Sequence, residues 1–349
     1  MDGQKIVYSP ISLWKDFDAE ALPLDTEEIS VEEKDGIVYS YVYFNGNEYQ
    51  DGVSRIYGVF ARKKDASNLP AIIVLDEIGQ RMKPREVEFW AKRGYAVLSF
   101  DNMGESEELQ DFTKYPPSVK YANFSYSGRH LTNCDTNAKE TCFYHWAANA
   151  RRAVTFVAHQ SCVDVSSIGL IAYKESTVIA CMVGASDDRL SVCATVFGMC
   201  YQDVEVARGQ INSENAESSD ERERWFAGIA PQSYLLHMKT PFLLCTGANA
   251  ALTDLDKTYE AMCLIPKETP WAMWIANRLL DTGLDYFVKN LDKWLELHLK
   301  NQSAKVSMPS ASYRVLNKKL NVIARVKDDR EIQSVAVYYS REAKNSSAR

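Results

Sequence analysis

Residues 167–189 read Ser-Ile-Gly-Leu-Ile-Ala-Tyr-Lys-Glu-Ser-Thr-Val-Ile-Ala-Cys-Met-Val-Gly-Ala-Ser-Asp-Asp-Arg, and their reading decides the fold. An apolar run leads up to Tyr173, breaks at the charged pair Lys174-Glu175, and resumes from Thr177 to Gly184. A short apolar run bounded by a polar break reads as a buried strand, and the longer apolar segment after it as a helix. The stretch therefore predicts a strand over 167–173, a sharp turn at Lys174 and a helix beyond it. Working outward, a helix is expected from about Ala138 to Gln160 and a strand over 191–198. Toward the N-terminus, 70–78 (Pro-Ala-Ile-Ile-Val-Leu-Asp-Glu-Ile) is a continuous apolar run, the mark of a strand buried on both faces. A helix from about Lys83 to Arg93 and a strand from Tyr95 to Phe100 follow it. Toward the C-terminus come a strand over 241–247, a helix near 254–263, a strand over 270–276 and a helix near 284–299. Strands alternating with helices imply an α/β fold, a mostly parallel sheet covered by helices on both faces.

Residues 37–45 and 54–62 alternate and are rich in β-formers, with the turn signal Asn45-Gly46 after the first run. They are expected to form an antiparallel edge pair. The organisation is then an N-terminal extension over 1–36, a main domain over 37–302, and a linker with a short C-terminal β module over 303–349. That module has room for about three strands, whereas a β-sandwich needs ~7. Two stretches, 102–137 and 199–237, are polar and aperiodic, and read as long excursions from the sheet.

Composition narrows the function. The chain has 349 residues, 46% of them hydrophobic, and a net charge of -7. No basic excess exists to meet phosphates, so no nucleic-acid partner is expected. No apolar stretch approaches the ~20 residues that span a bilayer, so no membrane partner is expected either. The first residues, Met-Asp-Gly-Gln-Lys-Ile-Val, carry no apolar signal-peptide core, which implies a cytoplasmic location. The eight cysteines are scattered without a Cys-x-x-Cys spacing, and buried, reduced thiols are the expectation. No ligand-like spacing of His, Asp or Glu occurs, so no metal and no cofactor are expected.

Several blocks resemble the acetyl xylan esterase-like branch of the α/β-hydrolases, which borders the dienelactone hydrolases. Pro70 to Leu75 looks like the strand before the oxyanion loop, and Phe89-Trp90-Ala91-Lys92-Arg93-Gly94-Tyr95-Ala96-Val97 like the helix-to-strand step after it. Trp146 to Phe156, with Ala150-Arg151-Arg152-Ala153, looks like the helix before the nucleophile strand. Ile168-Gly169 and Asp187-Asp188-Arg189 bracket the nucleophile elbow itself.

The resemblance implies a serine esterase, yet the residues at its catalytic positions are different. The elbow's Gly-x-Ser-x-Gly pattern would run from Ala172 to Ser176, with Lys174 at the serine. The family's acid would fall at Ala250 and its histidine near Leu280. The oxyanion loop would begin at Asp76-Glu77-Ile78-Gly79, where carboxylates would repel a developing oxyanion. The histidines present are His130, His145, His159, His237 and His298, and none lies just past the last strand of the main domain, where the Ser…Asp…His order would put it. His145 reads as structural and His298 as a surface residue of the last amphipathic helix. Ser176 is a poor substitute nucleophile, because Thr177 and Val178 beside it are β-branched. Lys174 as a catalyst would need desolvation to depress its pKa, while nearby carboxylates favour the charged amine.

The leading expectation is thus a catalytically inactive homologue with a binding, regulatory or structural role, its former pocket marked by Asp76, Glu77, Lys174 and Glu175. Lys174 is expected to pair with Asp76 or Glu77. The ligand or protein partner is unknown. The aromatics Tyr115, Tyr121, Phe124, Tyr126, Tyr201, Trp225 and Phe226 either line a binding surface or pack the two loops onto the sheet. A second expectation is an active carboxylesterase on acetylated carbohydrate with a non-standard site. A third is an assembly role, as a homo-oligomer formed through the C-terminal strands.

Overall fold

The structure is a computed structural model describing residues 5–127, 131, 134–201, 219–248, 254–276, 287–301, 309–326 and 331–332. Strands β1 (Glu27–Lys34), β2 (Ile37–Tyr49), β3 (Gly52–Lys63), β4 (Leu69–Leu75), β5 (Ala96–Phe100), β6 (Val163–Tyr173), β7 (Val192–Val196), β8 (Phe242–Gly247) and β9 (Trp271–Ala276) form a nine-stranded sheet. Their order is β1-β2-β3-β5-β4-β6-β7-β8-β9. The strands from β5 to β9 run parallel, and β1, β2 and β3 add antiparallel neighbours at one side. Every residue of β5, β7 and β8 is buried, as strands covered on both faces must be.

Two apolar cores flank the sheet. Helices α1 (Pro10–Trp14), α4 (Cys142–Ala158) and α5 (Thr177–Ser186) belong to one of them. Helix α2 (Pro84–Lys92) and the helix Val288–Leu295 belong to the other. A short helical turn, α3 (Phe124–Ser127), lies in the loop between β5 and α4. Helix α4 approaches the sheet closely because Ala147, Ala148, Ala150 and Ala153 face the core with no exposed surface. Its two arginines have structural partners. Arg152 donates to the carbonyls of Ala19, Pro23 and Asn45 and anchors the N-terminal segment. Arg151 pairs with buried Asp187 at 3.4 Å, which Arg189 also engages.

Three sequence expectations take a different form. The segment 1–36 supplies α1 to a core and β1 to the sheet. Strand β1 is rich in glutamate and exposed along its whole length, so it reads as a loop, although a charged strand suits a sheet edge. Asn45-Gly46 does not end β2. The strand runs on to Tyr49 with a register shift between Asn45 and Glu48, and the chain turns after it. Gly46 permits this bulge, because a Cβ there would stand 2.3 Å from Ser54 Oγ and 2.6 Å from Asn149 Oδ1. The apolar run 70–78 is a strand only to Leu75, and Asp76 onward forms the loop above it.

At the C-terminus β10 (Ser310–Leu316) and β11 (Lys319–Arg325) form a separate antiparallel hairpin. Asn317 and Lys318 both have positive φ, +49° and +62°, the signature of a two-residue type I′ turn. The third strand expected after them lies outside the described residues.

Candidate functional site

Strand β6 delivers Tyr173 to the carboxyl edge of the sheet, and the chain then turns at Lys174. Lys174 has a φ of +48°, in the left-handed region that a side-chain-bearing residue rarely occupies. One 3-10 turn, Lys174–Ser176, leads directly into α5. This is the sharp, strained strand-to-helix turn on which a hydrolase exposes its nucleophile. Here its apex carries an ammonium group.

The loop after β4 meets this apex. Lys174 Nζ lies 2.6 Å from Glu77 Oε1, with the side chains 36% and 24% exposed. A pair so open to water contributes about 0.2–1 kcal/mol. Ser176 is buried and donates its hydroxyl proton to the backbone carbonyl of Asp76, which ties the elbow to the loop.

Asp76 does not reach Lys174 as its ion-pair partner. Its side chain is only 6% exposed, with Lys83 Nζ 3.6 Å from Oδ1 and Ser99 Oγ 3.4 Å from Oδ2. Burial raises its pKa, and the Lys83 ammonium opposes the rise. Oδ1 accepts no hydrogen bond, and Glu175 Oε2 is likewise buried without one. Burial also raises the pKa of Glu175.

A further carboxyl completes the cluster. Glu86, in the first turn of α2, accepts a hydrogen bond from the Tyr173 hydroxyl. Burial pushes its pKa up to about 7, with the Asp76 charge adding to the rise and the Tyr173 hydrogen bond opposing it. Burial and the Glu86 charge hold the Tyr173 phenol well above its ordinary value. The sequence reading missed Glu86, Tyr173 and Lys83. A signal existed, because Glu86 lies four residues before the fully buried Trp90 and shares its helix face.

The remaining candidates divide clearly. Ala250 and Leu280 lie outside the described residues, as does His130. His145 is buried between two tyrosines, Nδ1 at 2.9 Å from Tyr49 and Nε2 at 2.8 Å from Tyr121, and burial pushes its pKa down to about 3. It is a neutral structural ring. His298 is not a simple surface residue. It packs on Trp294 with ring centroids 4.4 Å apart, and burial lowers its pKa to about 4. His159 pairs with Glu20 on the exposed surface at 3.1 Å.

The loop aromatics mostly pack inward. Trp225 is buried, and Tyr115, Phe124, Tyr201 and Phe226 pack against the core. Tyr121 holds His145, and Tyr126 alone among these seven is more than one-third exposed. Among the described residues, no cluster of three or more His, Cys, Asp or Glu could hold a metal ion.

The sheet order, the antiparallel flank and the strand-turn-helix elbow together define an α/β-hydrolase fold. Residues 14–215 match the acetyl xylan esterase (AXE1) family, and the chain belongs to that family. No curated protein matches the sequence. Among solved structures, the chain is similar to acetyl xylan esterase 1 from Thermoanaerobacterium sp. JW/SL YS485, with a TM-score of 0.64 at 13% identity, covering 85% of this chain and 96% of that one. It is also similar to the acetyl xylan esterase from Paenibacillus sp. R4, with a TM-score of 0.60 at 16% identity, covering 80% and 91%. A putative dienelactone hydrolase from Klebsiella pneumoniae gives 0.51 at 15% identity, covering 74% and 98%. Identities this low speak for the fold alone.

Proposed function

We propose that this chain is a non-hydrolytic member of the acetyl xylan esterase family, acting by binding a ligand or protein partner. One observation carries the reading: the strained apex at φ +48° holds a lysine, and its ammonium lies 2.6 Å from Glu77. Acyl transfer needs an activated nucleophile at that apex and hydrogen-bond donors above it. An ion-paired ammonium supplies no activated electron pair, and Asp76 and Glu77 bring negative charge to the loop where donors are required. Six of the eight cysteines are buried in the fold, where a thiol behaves as a small hydrophobe. These suit a reducing compartment, where we place the protein.

The test is turnover of 4-nitrophenyl acetate and of acetylated xylan by the purified chain. The reading predicts rates equal to buffer for both. Saturable hydrolysis of either substrate would overturn it and favour an esterase with a non-standard nucleophile.

A further inference from the structure

Among the described strands, only β1, β10 and β11 are exposed at every residue. Directly opposite residues of an antiparallel pair share a face. Ala311 with Ala324, Tyr313 with Val322 and Val315 with Leu320 therefore make one side of the hairpin apolar from end to end. Tyr313 and Val315 are 79% and 67% exposed, and Leu320 and Val322 are 65% and 53% exposed. A two-stranded hairpin is at best marginally stable in water, and it becomes stable by joining further strands. No described strand pairs with the outer edge of β10 or of β11, so both edges offer backbone groups for that addition.

Charge selects the edge that the hairpin can join. Arg314, Lys318, Lys319 and Arg325 give it four positive charges, and no carboxylate lies between Ser310 and Arg325. None of these four side chains has an ion-pair partner among the described residues. The nine-stranded sheet ends at β1 and β9. Strand β9 holds no charged residue, whereas β1 holds Glu27, Glu28, Glu32 and Glu33. Arg55 and Lys64 engage Glu27 and Glu33, while Glu28 and Glu32 have no ion-pair partner among the described residues. Like charges directly opposite each other destabilise a strand pair, so β1 rejects a second β1 and accepts a cationic strand. Ile29 and Val31, 41% and 50% exposed, add apolar side chains to that edge.

We propose that the hairpin of one copy adds to the β1 edge of a second copy, so that two chains close into a dimer through two equivalent contacts. Each chain offers one hairpin and one β1, which satisfies two-fold symmetry and leaves no open end. Backbone pairing holds the copies together, and the charges choose the edge. The contact stands whether or not the elbow is active.

Light scattering on the size-fractionated full chain tests this at about 50 mM and about 1 M salt. A dimer is expected at low salt, with its dissociation constant raised at least tenfold at high salt. Glu28→Lys with Glu32→Lys, and separately Arg314→Glu with Lys319→Glu, should each give monomers. Their circular dichroism should be unchanged, because all four positions are exposed. Mixing the two double variants should restore a one-to-one dimer, since each hairpin then meets a β1 of opposite charge on the other chain. A native chain that stays monomeric at low salt, or a dimer that either double variant leaves intact, would overturn the proposal. So would double variants that stay monomeric when mixed.

Discussion

Replacing Glu86 by Gln removes a carboxyl that the fold shifts into the physiological range. Burial raises its pKa from 4.5 to about 7. The folded state therefore binds more protons than the unfolded state between those values, and stability falls as pH rises through that window. At 1.36 kcal/mol per pH unit, the gap corresponds to roughly 3 kcal/mol. Glu86 retains some solvent contact, which brings the expected effect to about 2 kcal/mol. Glutamine keeps an oxygen for the Tyr173 hydroxyl and never ionises. Urea denaturation of both proteins at closely spaced pH values between 4 and 8 measures the difference directly. The two proteins should be about equally stable near pH 4.5, and the variant should lead by about 2 kcal/mol above pH 7.5. A constant difference across the series would mean that Glu86 ionises as an ordinary exposed carboxyl.

His145 behaves in the opposite sense. Burial lowers its pKa from 6.5 to about 3, so stability is lost as pH falls through that window. His145→Phe leaves the Tyr49 and Tyr121 hydroxyls without this partner, should cost about 2–4 kcal/mol at pH 7, and should flatten the acid limb of the stability profile. Denaturation at pH 7 and pH 5 reads both effects. Gly198→Ala should destabilise by about 1–3 kcal/mol, since its Cβ would stand 1.9 Å from Thr177 Oγ1. Thr177→Ala in the same chain should recover part of that loss, because it removes Oγ1 but leaves the Thr177 Cβ 2.9 Å away, and a thermal-melting double-mutant cycle measures the coupling.

The parallel part of the fold was legible because its strands are short apolar runs set between helical patterns. The elbow register was legible for the same reason: Ile168-Gly169 and Asp187-Asp188-Arg189 anchor it from both sides, and Lys174 falls on the residue with positive φ. Strand β1 was not legible, because edge strands are selected for charge and Glu27 to Lys34 lacks an inward apolar face. The partner of Lys174 could not be chosen between Asp76 and Glu77 from sequence. Both carboxylates lie in the loop past β4, whose path sends Asp76 toward Lys83 and Glu77 toward Lys174. Glu86 was hidden by its surroundings. Pro84, Arg85 and Glu88 mark the start of α2 as a solvated turn, and only packing against Tyr173 draws Glu86 inward. The inward packing of Trp225 and Tyr115 was likewise undecided, because aromatics in polar loops serve cores and surfaces alike.

We propose that the elbow does not carry out acyl transfer. The most direct measurement treats the native chain and its Lys174→Ser variant with a fluorophosphonate probe and locates any adduct by mass spectrometry. No labelled serine is expected in the native chain. No more than trace labelling is expected at position 174 in the variant, because a serine there would lack an activating base and would still face Glu77. Stoichiometric labelling of Ser176 or any other serine in the native chain would show a working nucleophile. Rapid labelling at position 174 in the variant would show that an intact acid and base still serve the elbow.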